Sequence, residues 1–298
     1  MNECPRQLNG DRPELLAELS LLFKDGSHRI IGSDAEWESR AGPILANDIF
    51  KGESYDARLE SADWDQPGGS PGGWLPVEVR ADKAIEIHPS AAPPIREQEQ
   101  LPARLLETRK DRRIYDMGQN FTGVVRLRVT APAGRHLTLR HGEMLRPDGT
   151  VYTDNLRTAR STDHYTCKGH PDGEQWQPRF TFHGFRYVEV SGLGKEDTCE
   201  LTGIVLNSDM EETGAFSCSH PLLNQLWKNI RWGMKSNFLD VPTDCPQRDE
   251  RMGWTGDAQV FCRTAASFMD VRGFFEKWLL DVRDAQSPDG RSEERRVG

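Results

Sequence analysis

The densest chemistry in the chain lies in Val241-Pro-Thr-Asp-Cys-Pro-Gln-Arg-Asp-Glu-Arg-Met-Gly-Trp-Thr-Gly-Asp257. Four carboxylates, Asp244, Asp249, Glu250 and Asp257, are interleaved with Arg248 and Arg251, and Trp254 stands close by. Carboxylates and arginine hydrogen-bond vicinal hydroxyls, and an indole covers the apolar face of a pyranose, so the set suits a sugar. Carboxylates side by side also disfavour one another's ionisation, which is how an enzyme keeps a general acid protonated near neutral pH. The same composition suits a solvated, salt-bridged surface loop. Residue types alone do not choose between the two.

Other reactive side chains read as structural. Cys245 is followed by Pro246 and has no histidine near it in sequence, so a buried thiol is expected rather than a nucleophile. His141 and His183 sit on strand patterns beside aromatics or arginine and are expected to be satisfied core histidines. His136, His141 and His164 show no metal-ligand spacing, so neither a metal nor an organic cofactor is expected. Asn120-Phe-Thr122 fits the N-glycosylation pattern but is given no weight. The glycines of residues 68–73 are not followed by Lys-Ser/Thr and a helix, so they do not make a phosphate loop.

The elements around the cluster can be read from their periods. Pro242, Pro246, Gly253 and Gly256 forbid a continuous helix across it, so it is a shaped loop between helices. Before it, Ser219 is expected to cap a helix with Pro221 in the first turn, placing Leu222, Leu223, Leu226, Trp227, Ile230 and Met234 on one face. After it, a second helix is expected over residues 257–268. A third, capped by Asp270, should carry Val271, Phe274, Phe275, Trp278 and Val282 on one face. Trp227, Trp232 and Trp278 read as core. Upstream the period is 2: strands are expected over 124–130, 136–140 and 180–190, the last with a bulge at Gly184. Asp25-Gly26 between two apolar runs signals a hairpin.

Composition bounds the rest. At 298 residues the chain is long enough for two or three domains. With 27 Gly and 18 Pro it is neither collagen-like nor low-complexity. A net charge of −9 disfavours nucleic acid or an anionic membrane as partner. No apolar run approaches the length of a membrane-spanning helix. Six cysteines without a CxxC pair make neither a disulfide scaffold nor a zinc ribbon, and buried thiols are expected. The start, Met1-Asn-Glu-Cys-Pro-Arg6, lacks an apolar signal segment, which leaves a cytoplasmic or a secreted location open.

The string Thr243-Asp-Cys-Pro-Gln-Arg-Asp-Glu-Arg-Met-Gly-Trp-Thr-Gly-Asp257 resembles the signature of bacterial α-L-rhamnosidases, glycoside hydrolase family 78. The likeness extends along most of the chain. Asp48-Ile-Phe-Lys-Gly-Glu-Ser-Tyr-Asp-Ala-Arg58 is similar to the end of that family's N-terminal β domain. Gly118-Gln-Asn-Phe-Thr-Gly123, Leu139-Arg-His-Gly-Glu-Met-Leu145, Tyr152-Thr-Asp-Asn-Leu-Arg157 and the 182–190 strand are similar to its central sandwich. The resemblance implies a multidomain β + α chain, with β-sandwich domains followed by the first helices of an (α/α)6 barrel. The expected division is 1–92 for the end of an N-terminal β-sandwich, 93–212 for the central sandwich and 213–290 for the start of the catalytic domain.

Residues 291–298 back-translate into a sequencing-library adapter and are expected to be foreign, so both ends are read as truncated. The implied reaction is inverting hydrolysis of terminal α-L-rhamnose from a glycoside. Glu250 would be the general acid, Asp244 would contact sugar hydroxyls, and Arg248, Asp249, Trp254 and Asp257 would line the pocket. The family's general base is a later glutamate with no match here, so the chain alone is expected to be inactive. It is also expected to expose Phe274, Phe275 and Trp278 and to aggregate. Two alternatives stand beside this: a non-catalytic carbohydrate-binding or scaffold β-sandwich protein, and another inverting hydrolase or lyase on the same barrel. Aglycone and oligomeric state are left open.

Overall fold

The computed structural model describes residues 14–69, 72–80, 89–109, 112–288 and 290. Cys4 and the 291–298 segment lie outside them. The chain divides into two units, one formed from residues before 44 and between 59 and 88, the other from 44–58 and everything after 88. In the first unit the Asp25-Gly26 turn closes an antiparallel hairpin between Glu18–Leu22 and His28–Gly32. The Asp25 carboxylate accepts the Ser27 N–H at 2.9 Å, which tightens the turn.

The second unit is built on a ten-stranded sheet among the described residues: β1 (Ile44–Asp48), β2 (Gly52–Asp56), β3 (Ile95–Pro102), β4 (Arg104–Arg109), β5 (Arg112–Thr130), β6 (His136–Gly142), β7 (Thr162–Thr166), β8 (Glu174–Trp176), β9 (His183–Ser191) and β10 (Thr198–Ser208). Their order is β1-β2-β7-β6-β9-β5-β10-β3, with β4 and β8 also on β5. Residues 44–58, which precede the expected boundary at 92, therefore belong to this sheet. The 19-residue β5 organises the sandwich. Its first part, up to Gly123, pairs with β9, and from Gly123 onward it pairs with β10, so one strand serves both layers. Tyr115, Met117, Phe121, Val125, Leu127 and Val129 alternate into the core, as the period-2 pattern predicts. Leu137, Leu139, Tyr165, Trp176, Phe185, Val188 and Val190 close it. The expected bulge is displaced. Gly184 pairs regularly with Thr122, and the register shifts between Phe185 and Tyr187, where Arg186 turns to ion-pair with Asp116 at 2.8 Å.

Three helices follow: α1 (Pro221–Asn237), α2 (Thr255–Ala266) and α3 (Arg272–Asp284). Their caps differ from the sequence reading. His220, Trp254 and Val271 occupy the N-cap positions, none with a side-chain cap. Asn224 reaches back from α1 to bond the Cys218 backbone instead. The helices share a small core in which Phe238 stacks on Phe274 and Trp227 on Phe268. They dock on the sandwich through α1. Thr122 Oγ1 donates to Ser236 O at 2.6 Å, and the buried Lys235 ammonium reaches Glu99 at 2.6 Å.

The expectation that Phe274, Phe275 and Trp278 would be exposed is corrected, Phe275 being half-buried against the helical core. The other two are buried, Phe274 under Phe238 and Trp278 beside Val241 and Ala258. Within the helices the uncovered apolar surface lies on Leu222, Leu223 and Leu226 of α1, Val260 of α2, and Leu279 and Leu280 of α3. Thus the N-terminal half of α1's expected inner face is the exposed part. The cysteines also divide: Cys167 and Cys245 are buried, whereas Cys199, Cys218 and Cys262 are half-buried. Among the described residues no helix is long and apolar enough to cross a membrane.

Candidate active site

The 241–257 segment is a loop closed on itself. Val241–Pro242 pairs back on Phe238–Leu239, and the Thr243 N–H donates to Asn237 O at 2.8 Å. Asp244 then joins the two arms. Its N–H donates to Met252 O and its carboxylate accepts the Met252 N–H, each at 3.0 Å. Such a double clasp holds residues 245–251 as a closed bulge between α1 and α2 (compare the long reach of a free loop).

Arg251 anchors that bulge to the sandwich. Only 6% exposed, and at a φ of 53°, it donates from Nη1 to Ile49 O at 2.7 Å and Phe182 O at 2.8 Å. Its guanidinium lies between the rings of Phe50 and Phe182. Burial pulls its pKa down to about 10, which still leaves it a cation at neutral pH. On the same side Gly184 lets the loop come close: a Cβ there would stand 2.7 Å from Pro246 Cγ. At the other arm a Cβ on Gly253 would meet Trp278 Nε1 at 2.5 Å, so α3 packs directly on the loop's exit.

Within this frame Asp244, Arg248 and Glu250 come together. Arg248 Nη2 lies 2.9 Å from Glu250 Oε2 and 3.4 Å from Asp244 Oδ2, so one guanidinium bridges both carboxylates. One donor atom each from Asp244, Cys245 and Glu250 falls within 4.8 Å of the others. Glu250 is the member turned outward, its side chain 19% exposed, against 8% for Asp244. Asp249 is held by the residue that follows Arg157. Its Oδ2 accepts both the N–H (3.1 Å) and the hydroxyl of Thr158. Trp254 and Asp257 belong to the start of α2, Trp254 half-buried as its N-cap and Asp257 exposed in its first turn. Cys245 is buried, and burial pushes its thiol up to about 11, so it carries no thiolate at neutral pH.

Two contributors escaped the sequence reading. Arg157, at a φ of 57° after a short 3-10 turn, places Nη1 2.9 Å from Glu250 Oε2, and Thr158 holds Asp249. Both come from the sandwich, more than ninety positions upstream in the case of Thr158 and Asp249. The only available signal was the non-glycine turn within Tyr152-Thr-Asp-Asn-Leu-Arg157, whose destination no local pattern reveals.

His141 and His183 are core residues, though arranged in an unexpected way. His141 does not join His136 or His164. It stacks on His183, with ring centroids 4.3 Å apart, beside Asp163. Burial holds His141 down to about 3, so its ring is neutral.

Three family models match in succession: the α-L-rhamnosidase N-terminal domain over residues 1–99, the bacterial α-L-rhamnosidase concanavalin-like domain over 106–207, and the bacterial α-L-rhamnosidase 6 hairpin glycosidase domain over 211–294. An α-L-rhamnosidase of Streptomyces avermitilis is 48% identical over 284 residues, covering 94% of this chain and 28% of the relative. The crystal structure of an S. avermitilis α-L-rhamnosidase complexed with L-rhamnose superposes with a TM-score of 0.92 at 48% identity, over 97% of this chain and 28% of that one. An α-L-rhamnosidase structure from Dictyoglumus thermophilum gives 0.90 at 36% identity, over 98% and 33%. The chain spans 28–31% of the length of the curated relatives it matches.

Proposed function

The chain belongs to the bacterial α-L-rhamnosidase family, and from that premise we propose that the whole enzyme removes terminal α-L-rhamnose from glycosides with inversion, Glu250 acting as general acid. The observation that carries this reading is the outward carboxylate of Glu250, set between Arg157 and Arg248 on a loop clasped at both ends. Both guanidiniums approach Oε2, which leaves Oε1 as the oxygen to deliver a proton to the departing aglycone. Inverting hydrolysis needs a second carboxylate about 6.5–9.5 Å from the acid, with water between them. Asp244 is too close for that, since it shares one guanidinium with Glu250 and its carboxylate is tied to the Met252 N–H. We therefore assign Asp244 to sugar hydroxyls, together with Arg248, and place the base on a carboxylate outside the 241–257 loop. Asp249, Trp254 and Asp257 complete the proposed pocket wall. The substrate is a rhamnose-containing glycoside.

In the whole enzyme Glu250→Gln should lower kcat on an unactivated α-L-rhamnoside by about 10²–10⁴-fold, the usual share of general-acid catalysis, and spare aryl substrates with good leaving groups. Turnover near that of the parent on both substrate types would remove Glu250 from this role. A sugar-binding sandwich is the second reading. The exposed ring of Phe180 favours it, and rhamnose affinity unchanged in Glu250→Gln but lost in Phe180→Ala would establish it.

A further inference from the structure

We propose that His141, Asp163 and His183 form a binding site for a divalent first-row transition ion, with zinc as the first probe, inside the sandwich core. The proposal is independent of the glycosidase reading. The three residues sit on β6, β7 and β9, which neighbour one another in the order β7-β6-β9. Each is fully buried, and one donor atom from each lies within 4.8 Å of the other two. Two ligand atoms each about 2.0–2.2 Å from one ion stand about 3.5 Å apart, so a contraction of the cluster by on the order of 1 Å puts all three on one ion.

The hydrogen placement points to a cation. Ser161 O can only accept, so His141 Nδ1 carries the hydrogen of their 3.0 Å contact. With that hydrogen on Nδ1, Nε2 is the ring nitrogen left to act as a ligand. That nitrogen has no hydrogen-bond partner and faces Asp163 Oδ2 at 3.7 Å. A lone pair aimed at a carboxylate oxygen, sealed from water, is repulsive, and a cation between the two turns the contact attractive. Asp163 otherwise meets the Glu53 N–H at 2.9 Å and His183 Nε2 at 3.1 Å. Glu53 is itself buried, with Oε1 unpartnered, so two carboxylates share this part of the core.

Two imidazoles and one carboxylate are the donor set of zinc and its first-row neighbours, whereas calcium and magnesium prefer oxygen alone. The backbone carbonyl on His141 Nδ1 is also the usual outer partner that orients a metal-binding imidazole. The ion would stiffen the ground under the candidate site. Ser161 Oγ donates to Gln247 O at 3.3 Å, and Gly184, next to His183, lies against Pro246.

The test is metal analysis of the full chain, refolded with zinc and dialysed, followed by cobalt substitution. The expected result is one zinc per chain, with ligand-field bands in the cobalt form. Both should be lost in His141→Gln and in Asp163→Asn and kept in Glu250→Gln. Zinc far below one equivalent in the folded wild type overturns the proposal. So does zinc that persists in His141→Gln but leaves in Glu250→Gln, since that places it at Asp244, Cys245 and Glu250. Where the His141 variants do not fold, nitrogen NMR of the zinc-refolded wild type decides. Metal-shifted imidazole resonances support the site, and a doubly protonated His141 on Asp163 overturns it.

Discussion

The sandwich and the helical segment finish their surfaces differently. In the sandwich, Phe185, Leu137, Leu139 and Val190 are wholly buried, and β5 ties both layers. In the helices, Phe274 and Met234 are as well buried, yet Leu222 is 73% and Val260 83% exposed. The sandwich fills its core mainly from its own strands, with Trp232 of α1 packed against it. The helices close a core only where they lean on one another and on the sandwich. The contrast explains why the candidate site is anchored from the sandwich side: Arg251 reaches Ile49 and Phe182, and Arg157 and Thr158 reach Glu250 and Asp249.

The sharpest way to break this contrast is Phe185→Ala. The ring fills the sandwich core against Phe121, at a centroid distance of 4.6 Å, and its loss should cost about 3–5 kcal/mol in denaturant unfolding. A cost below about 1 kcal/mol would show that the sandwich is not the self-sufficient partner. Next is Arg251→Ala, which strips two backbone carbonyls of a charged donor and should cost about 3 kcal/mol. Hydrogen exchange should rise at the amides of Asp244 and Met252 and stay unchanged along β5. Uniform exchange across both regions would mean that the loop is not pinned by this residue.

A smaller effect concerns pH. The Arg186 guanidinium hydrogen-bonds Asp116 and holds its carboxyl down to about 2, from an ordinary 3.8. A depressed carboxyl contributes stability above its unfolded value, and the contribution disappears as pH falls from about 4 toward 2. Arg186 is partly exposed, so screening reduces the contribution to about 1 kcal/mol. Stability curves of wild type and Asp116→Asn should therefore differ above pH 4 and converge near pH 2. Parallel curves would remove the pair from the account. The smallest effect is expected at Leu222→Ser on α1, which should change stability by less than about 0.5 kcal/mol while lowering self-association in sedimentation. A large loss of stability there would mean that the helix face is packed after all.

Much of the molecule was legible in its residues. Alternation along 124–130 and 136–140 specifies strands because side chains on a strand point to opposite faces. The 3.6 period after Pro221 specifies helices, and prolines and glycines between them specify a loop. The string from Asp244 to Glu250 also named its own cluster, since residues so close in a tight bulge must meet. Three things were decided only by the tertiary structure. The burial of Phe274 and Trp278 depends on Phe238, Val241 and Ala258, which arrive from other elements. The meeting of His141, Asp163 and His183 depends on strand order, which spacing along the chain does not encode. Arg157 and Thr158 join the candidate site because a sandwich turn and the 241–257 loop meet directly, and no local period carries a contact between segments so far apart in sequence. Local periodicity is a property of neighbouring residues, whereas a site assembled from several strands exists only after the chain has brought them together.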